Sequence, residues 1–253
     1  MRETSEVYAV KNELPTNRFT NHPLYLQVRD AIALRIASHE WKPGVAIPNE
    51  TELAREFGVS PGTMRKALDL AESQRLLTRL QGRGTFVNDQ SSEESTARYS
   101  NIRSRDGKQK VGDVEVLSVH ETIVSERDGM RLRLRARDRV HHIRRVWSEN
   151  GEPYMLEDVV LSAKLFPGVI GHNEASKHLT VLSQQFGVLL GRGDERITVG
   201  DADPEVAAAL QVASGTTVMR LDRVIYTLQG VPVEWRLGQC LVDENRYYMA
   251  QFG

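Results

Sequence analysis

Gly62, Thr63, Arg65 and Lys66 stand close together in one short stretch of the chain. A hydroxyl such as that of Thr63 reaches phosphates or base edges, and an arginine can bind guanine through two parallel hydrogen bonds. If the stretch opens a helix, the backbone N–H groups at that end attract a phosphate as well. Further on, Gln81-Gly82-Arg83-Gly84 would hold a cation at the tip of a glycine-containing turn. These residue types in this order suit contact with a nucleic-acid backbone and its bases.

Two helices must position them. Asn49 is a good N-cap and Glu52 follows three residues later, as in a capping box. Leu53, Ala54 and Phe57 share one helical face, and Gly58 ends that helix. Ser60 caps a second helix with Pro61 at its first position, where a missing N–H costs nothing. Met64, Ala67, Leu68 and Ala71 form its apolar face, opposite Gly62, Thr63, Arg65 and Lys66. Two short helices joined by a tight turn make a helix-turn-helix, whose second helix meets base edges in the major groove. Leu76 to Leu80 and Thr85 to Val87 flank the glycine turn as a hairpin, a wing with Arg83 at its tip. Leu24, Val28, Ala31, Ile32 and Ile36 mark one face of a supporting helix, and Trp41 and Ile47 complete the small core. The bland alternative is a helical hairpin with an ordinary solvated face. Agreement between caps, turn, basic face and hairpin counts against it.

Pro23-Leu-Tyr-Leu-Gln-Val, Pro48-Asn-Glu-Thr-Glu-Leu-Ala, Phe57-Gly-Val-Ser-Pro-Gly-Thr-Met-Arg-Lys-Ala-Leu and Gln81-Gly-Arg-Gly-Thr-Phe-Val resemble the DNA-binding domain of GntR-type bacterial transcription regulators. The resemblance implies that the start of the second helix reads bases and that the wing tip enters the minor groove. By position it implicates Ser60, Gly62, Thr63, Arg65, Gln81, Gly82 and Arg83. Thr51 and Pro61 stand where some members of the family place DNA-contacting arginines. The operator is therefore expected to differ from theirs, with Thr51 on the same surface.

The chain has 253 residues, enough for two domains, with 40% apolar and 26% charged residues. A net charge of −1 excludes a protein that is basic throughout. The basic excess is local: from Pro61 to Asn88, Arg65, Lys66, Arg75, Arg79 and Arg83 face only Asp69 and Glu72. Cys240 is the single cysteine, so no disulfide scaffold or cysteine-rich zinc site forms within one chain. The start of the sequence lacks a signal-peptide core, and no run approaches the roughly 18 apolar residues of a membrane span. A soluble cytoplasmic protein without membrane contact is expected.

Residues 1–21 read as a flexible polar extension, 22–88 as the winged helix-turn-helix, and 89–97 as a polar linker. From residue 98 to 253 the pattern turns to period-2 alternation, as in Val111 to Thr122 and Thr216 to Thr227. Helices are expected over Ala175–Phe186 and over Pro204–Leu210, the latter capped by Asp203. An internal repeat is present. Val140 to Trp147 followed by Gly151-Glu-Pro153 resembles Val218 to Ile225 followed by Gly230-Val-Pro232. Two similar hairpins suggest a pseudo-symmetric antiparallel sheet.

This region is similar to the UTRA effector-binding domain of the HutC branch of GntR regulators, through Leu165-Phe-Pro-Gly, Gln185-Phe-Gly-Val and Pro232-Val-Glu-Trp-Arg. The resemblance implies an α+β fold, an antiparallel sheet with helices like that of chorismate lyase, a metabolite cleft, and dimerisation. It places Arg145 and Glu157 at the effector, with Glu234 and Tyr247 as neighbours. Arg145 would offer a planar fork to an anion and Glu157 would take hydroxyls or amines. The competing reading is that such residues form ordinary cross-strand pairs. Trp147 replaces an arginine of phosphosugar-binding members. It either stacks on the ligand or belongs to the core.

The histidines lack metal-motif spacing and no nucleophile elbow or phosphate loop occurs, so no metal, cofactor or catalytic residue is expected. The reading is a ligand-responsive repressor. It binds a palindromic operator as a homodimer and is released by an organic acid or sugar derivative. The alternatives are a constitutive dimeric DNA-binding regulator and, from another class, a lyase-like enzyme with an attached DNA-binding module.

Overall fold

The computed structural model describes residues 23–105, 107 and 112–250. The expected extension over 1–21 and Val111 lie outside them. The chain divides into two compact units, residues 1–89 and 90–253.

The first unit runs α1 (Leu24–Ala37), β1 (Ala46–Ile47), α2 (Glu50–Glu56), α3 (Pro61–Ser73), β2 (Leu77–Leu80) and β3 (Gly84–Val87). Both expected caps form. Asn49 and Glu52 bond reciprocally across the start of α2, and the Ser60 side chain accepts from the Thr63 N–H. Val28, Ile32, Leu53, Met64, Ala67 and Ala71 are buried where α1 and α2 meet α3. Leu24, read as part of the apolar face of α1, is instead exposed in its first turn. The hairpin β2–β3 gains a third strand, because Ala46 and Ile47 pair with Phe86 and Thr85. Arg35 adds a tie that hydrophobic patterning does not show. It is buried in α1, pairs with Glu56 at 2.5 Å and lies over the rings of Trp41 and Phe57.

The second unit opens with α4 (Glu93–Ala97) and β4 (Ile102–Ser104). α4 falls inside the stretch read as linker. Ser92 caps it, Thr96 is buried, and the Thr96 and Thr180 hydroxyls bond at 2.8 Å. Serine and glutamate made the stretch look like a loop, but they are also the residues of a capped helix start.

Then come β5 (Asp113–Ile123), α5 (Glu126–Leu132), β6 (Arg139–Glu149), β7 (Glu152–Ser162), α6 (His172–Ala175), α7 (Leu179–Gln185), β8 (Leu190–Asp201), α8 (Pro204–Leu210), β9 (Thr217–Thr227), β10 (Pro232–Cys240) and β11 (Arg246–Tyr248). Six of these strands form one antiparallel sheet in the order β5-β6-β7-β10-β9-β8. The order is palindromic: β5-α5-β6-β7 and β8-α8-β9-β10 are two copies of one plan, joined along β7–β10. The sequence repeat is the hairpin of each copy. The β6–β7 turn uses Asn150 and Gly151, both at positive φ, as a two-residue hairpin demands.

Helices cover both faces. Val206 and Leu210 of α8 pack with Val146, Leu156 and Val218. On the other face, Ala175, Leu179 and Leu182 of α6 and α7 pack with Ile143, Val159, Leu161 and Ile225. The expected helix over Ala175–Phe186 is split between α6 and α7. Lys177 donates its N–H to the Glu174 carbonyl, while the carbonyls of Ala175 and Lys177 accept from Arg145. The arginine takes acceptors that a continuous helix would use internally. Among the described residues no helix is long and apolar enough to cross a membrane.

Candidate functional site

Helix α3 presents an exposed polar edge. Gly62, Arg65 and Lys66 are exposed and Thr63 is half-buried, while Met64, Ala67 and Leu68 point inward. Thr51 on α2 and Ser60 are exposed near it in sequence. Arg65 is not free: its guanidinium bonds Glu50 at 2.9 Å, and that carboxylate holds its pKa above the ordinary value. The Ser60 and Thr63 hydroxyls bond each other at 2.9 Å. Gln81, Gly82 and Arg83 form the exposed wing tip, where Gly82 and Gly84 take positive φ. Arg79, counted above in the local basic excess, is tied back to Asp69 at 2.5 Å.

A small, partly open cleft lies in the second unit. Its walls bring together Trp147, Glu157 and Glu234 from the sheet, with His178 just before α7, Thr180 in its first turn and Thr96 from α4. Glu157 is buried and held from three sides. Its Oε2 accepts from Arg145 Nε at 2.9 Å and Trp147 Nε1 at 2.6 Å, and its Oε1 accepts from Arg236 Nη1 at 2.9 Å. Burial alone would raise its pKa. The charges of Arg236 and Arg145, with the hydrogen bonds, outweigh burial and hold the carboxyl at about 2. His178 lies against Trp147, ring centroids 4.8 Å apart. Burial, then the Arg145 charge, lowers its pKa to about 4, so the imidazole is neutral near pH 7.

Two expected residues fall elsewhere. Arg145 is not on the cleft wall. It is buried behind it, spending its guanidinium on Glu157 and the carbonyls of Ala175 and Lys177. Arg145 faces Glu157 directly in the β6–β7 register, as a cross-strand pair would, but the pair is buried rather than on a solvated face. Tyr247 sits in the β4–β11 ribbon opposite Arg103, and the cleft wall does not include it. The cation of the cleft is Arg236, which sequence reasoning passed over. Its signal lay in the repeat: Glu157 and Arg236 each stand four residues beyond the matching Pro153 and Pro232. Among the described residues no group of three or more His, Cys, Asp or Glu is placed to hold a metal ion.

The chain matches the UTRA domain family over residues 108–246, more than half its length, and the gntR family of bacterial regulatory proteins over residues 24–87. It belongs to the GntR regulators that carry a UTRA domain. Its relatives include the mannosyl-D-glycerate transport/metabolism system repressor MngR of Escherichia coli. That protein is 26% identical over 89% of this chain and 94% of the relative. The histidine utilization repressor of Pseudomonas putida is 27% identical over 79% of this chain and 81% of the relative. Among solved structures, the ligand-binding domain of a GntR-family regulator from Bordetella bronchiseptica aligns with a TM-score of 0.55 at 26% identity. It covers 60% of this chain and 96% of that one. This GntR regulator is thus a ligand-responsive DNA-binding protein with an α+β architecture.

The wing of a GntR regulator carries a simple expectation. Arg83→Ala removes one exposed cation from the hairpin tip, so the slope of log affinity against log salt should flatten by about one phosphate's worth, roughly 0.9. DNA-binding titrations at several salt concentrations read this. An unchanged slope would take Arg83 off the DNA.

Proposed function

We propose that this regulator is a repressor that binds a palindromic operator as a homodimer and lets go when a small metabolite fills the cleft of residues 90–253. The observation that carries the reading is the cleft itself. A carboxylate fixed by two arginines and a tryptophan is a preorganised polar wall, and Trp147 and His178 add a flat apolar one. The names of the relatives support repression. In the same reading Thr51, Ser60, Gly62, Thr63, Arg65, Lys66, Gln81, Gly82 and Arg83 form the DNA surface. Trp147, Glu157, Glu234 and Arg236 face the effector. The protein works in the cytoplasm by binding, without turnover.

One small winged helix-turn-helix buries too little surface for tight specific binding, and two copies reading two half-sites supply the rest. Linkage then requires the effector to bind the DNA-bound form more weakly, by the factor with which it weakens DNA binding. The test is fluorescence anisotropy on labelled DNA from upstream of the protein's own coding region, titrated with fractions of a metabolite extract. A fraction that releases the wild type should fail on Ser100→Trp, which fills the cleft from a half-buried position on its wall. Undiminished release from that variant would move the effector site elsewhere.

A further inference from the structure

The charged groups of the cleft are unevenly satisfied. Glu157 has three donors. The Arg236 guanidinium is engaged by Glu157 and by the Tyr99 carbonyl, and Arg145 by Glu157 and two carbonyls. Arg223, deeper along the same face, is engaged by Glu195 and also by the Tyr99 carbonyl. Glu234 differs. It is 2% exposed, it lines the cleft, and its Oε1 has no hydrogen-bond partner. Its nearest cation is Arg236 Nε at 3.7 Å, too long for a hydrogen bond. A buried carboxylate oxygen without a donor is costly, and native proteins leave few of them. The cleft wall therefore carries two carboxylates, one of them short of a donor, against one guanidinium. His178 adds no charge near neutral pH, and its Nε2 is likewise without a partner.

Resting on the effector reading above, we propose that the ligand of this cleft carries a protonated amine, which donates to Glu234 Oε1. A hydroxyl would fill the hydrogen bond but add no countercharge to the long Arg236 contact. An ammonium supplies both the donor and the countercharge, and charge-assisted hydrogen bonds are roughly twice as strong as neutral ones. An anionic group would meet guanidinium groups that already have partners, and would lie beside Glu234. The organic acid expected from sequence therefore suits the wall less well than an amine. The rest of the ligand lies against Trp147 and the neutral ring of His178, whose free Nε2 offers one further polar contact.

Thermal-shift and calorimetric titrations of the full chain test this with two matched series. One is D-glucosamine, D-glucose and D-gluconate; the other is tyramine, tyrosol and 4-hydroxyphenylacetate. The variants are Glu234→Gln, which keeps shape and removes charge, and Ser100→Trp, which fills the cleft. In at least one series the amine should bind about tenfold or more tightly than its alcohol and acid counterparts, and both variants should abolish that preference. The unliganded Glu234→Gln protein should melt close to the wild type, since it keeps the shape and gives up only a long contact to Arg236. If an alcohol or acid binds best, with sensitivity to Ser100→Trp but not to Glu234→Gln, the amine assignment is overturned and the cleft stands as the effector site. If nothing binds in a way that Ser100→Trp removes, both are overturned.

Discussion

Arg145→Ala should lower the stability of the second unit by about 3–5 kcal/mol, the usual cost of removing one partner of a buried ion pair. The loss is compound. Glu157 keeps its charge in a buried site with one guanidinium fewer, and the carbonyls of Ala175 and Lys177 lose their donor where α6 and α7 part. For a domain of this size the melting temperature should fall by on the order of 10 °C. Acid titration of the wild type reports the same network. Glu157 has an ordinary carboxyl value when unfolded and about 2 when folded. The unfolded chain therefore takes up its proton first as pH falls, and the stabilisation present above about pH 5 is lost between there and about pH 2. Melting curves of wild type and variant across that range would show the difference narrowing in acid. A variant that melts like the wild type at pH 7 would remove Arg145 from the structural frame and reopen its candidacy as an effector residue.

Arg65→Ala should weaken operator binding by about 1–3 kcal/mol if Arg65 reads a base through two hydrogen bonds. In the free protein that guanidinium is bound to Glu50 across α2 and α3, with 67% of the arginine side chain and 29% of the glutamate accessible. An ion pair this exposed is weak, so exchanging Glu50 for guanine costs little. Glu50→Gln should therefore tighten DNA binding modestly, by removing both a competitor and a negative charge from the DNA side. The opposite signs of the two variants are the informative part. Gel-shift titration on operator and on scrambled DNA separates base reading from phosphate attraction. Equal affinity of Arg65→Ala and wild type for the operator would show that the Glu50 pair is the residue's whole purpose.

Much of this was readable from the chain because it depends on local chemistry. Asn49, Glu52, Ser60 and Asp203 cap helices through bonds to residues two or three positions away, and Pro61 opens α3 at its first position. Turn and wing follow from glycine positions. The cleft was less readable because its geometry is non-local. Alternation puts Arg145, Glu157 and Arg236 on strand faces, but only the β7–β10 pairing sets Arg236 diagonally beside Glu157. Nothing in the spacing told that Arg145 would be consumed by the gap between α6 and α7. Nor did the polar run from Asp89 announce that Thr96 would meet Thr180.

The palindromic sheet order also bears on how the domain comes together. Every ladder of the six-stranded sheet but one joins strands consecutive in the chain: β5–β6, β6–β7, β8–β9 and β9–β10. Within this sheet only β7–β10 joins distant segments, Leu161 with Glu234 and Met155 with Cys240, while the separate β4–β11 ribbon ties Ile102 to Tyr248. Each half can therefore form through short loop closures, and the long closure falls to the seam. Glu157 and Arg236 lie on opposite sides of that seam and bond across it. A clasp that closes only after the two halves have formed would be absent from the folding transition state. Weakening it should quicken unfolding while leaving the refolding rate almost unchanged, which stopped-flow measurements on Arg236→Gln would show. In the proposed reading the effector's wall lies along this seam, so a ligand held there should also slow its opening.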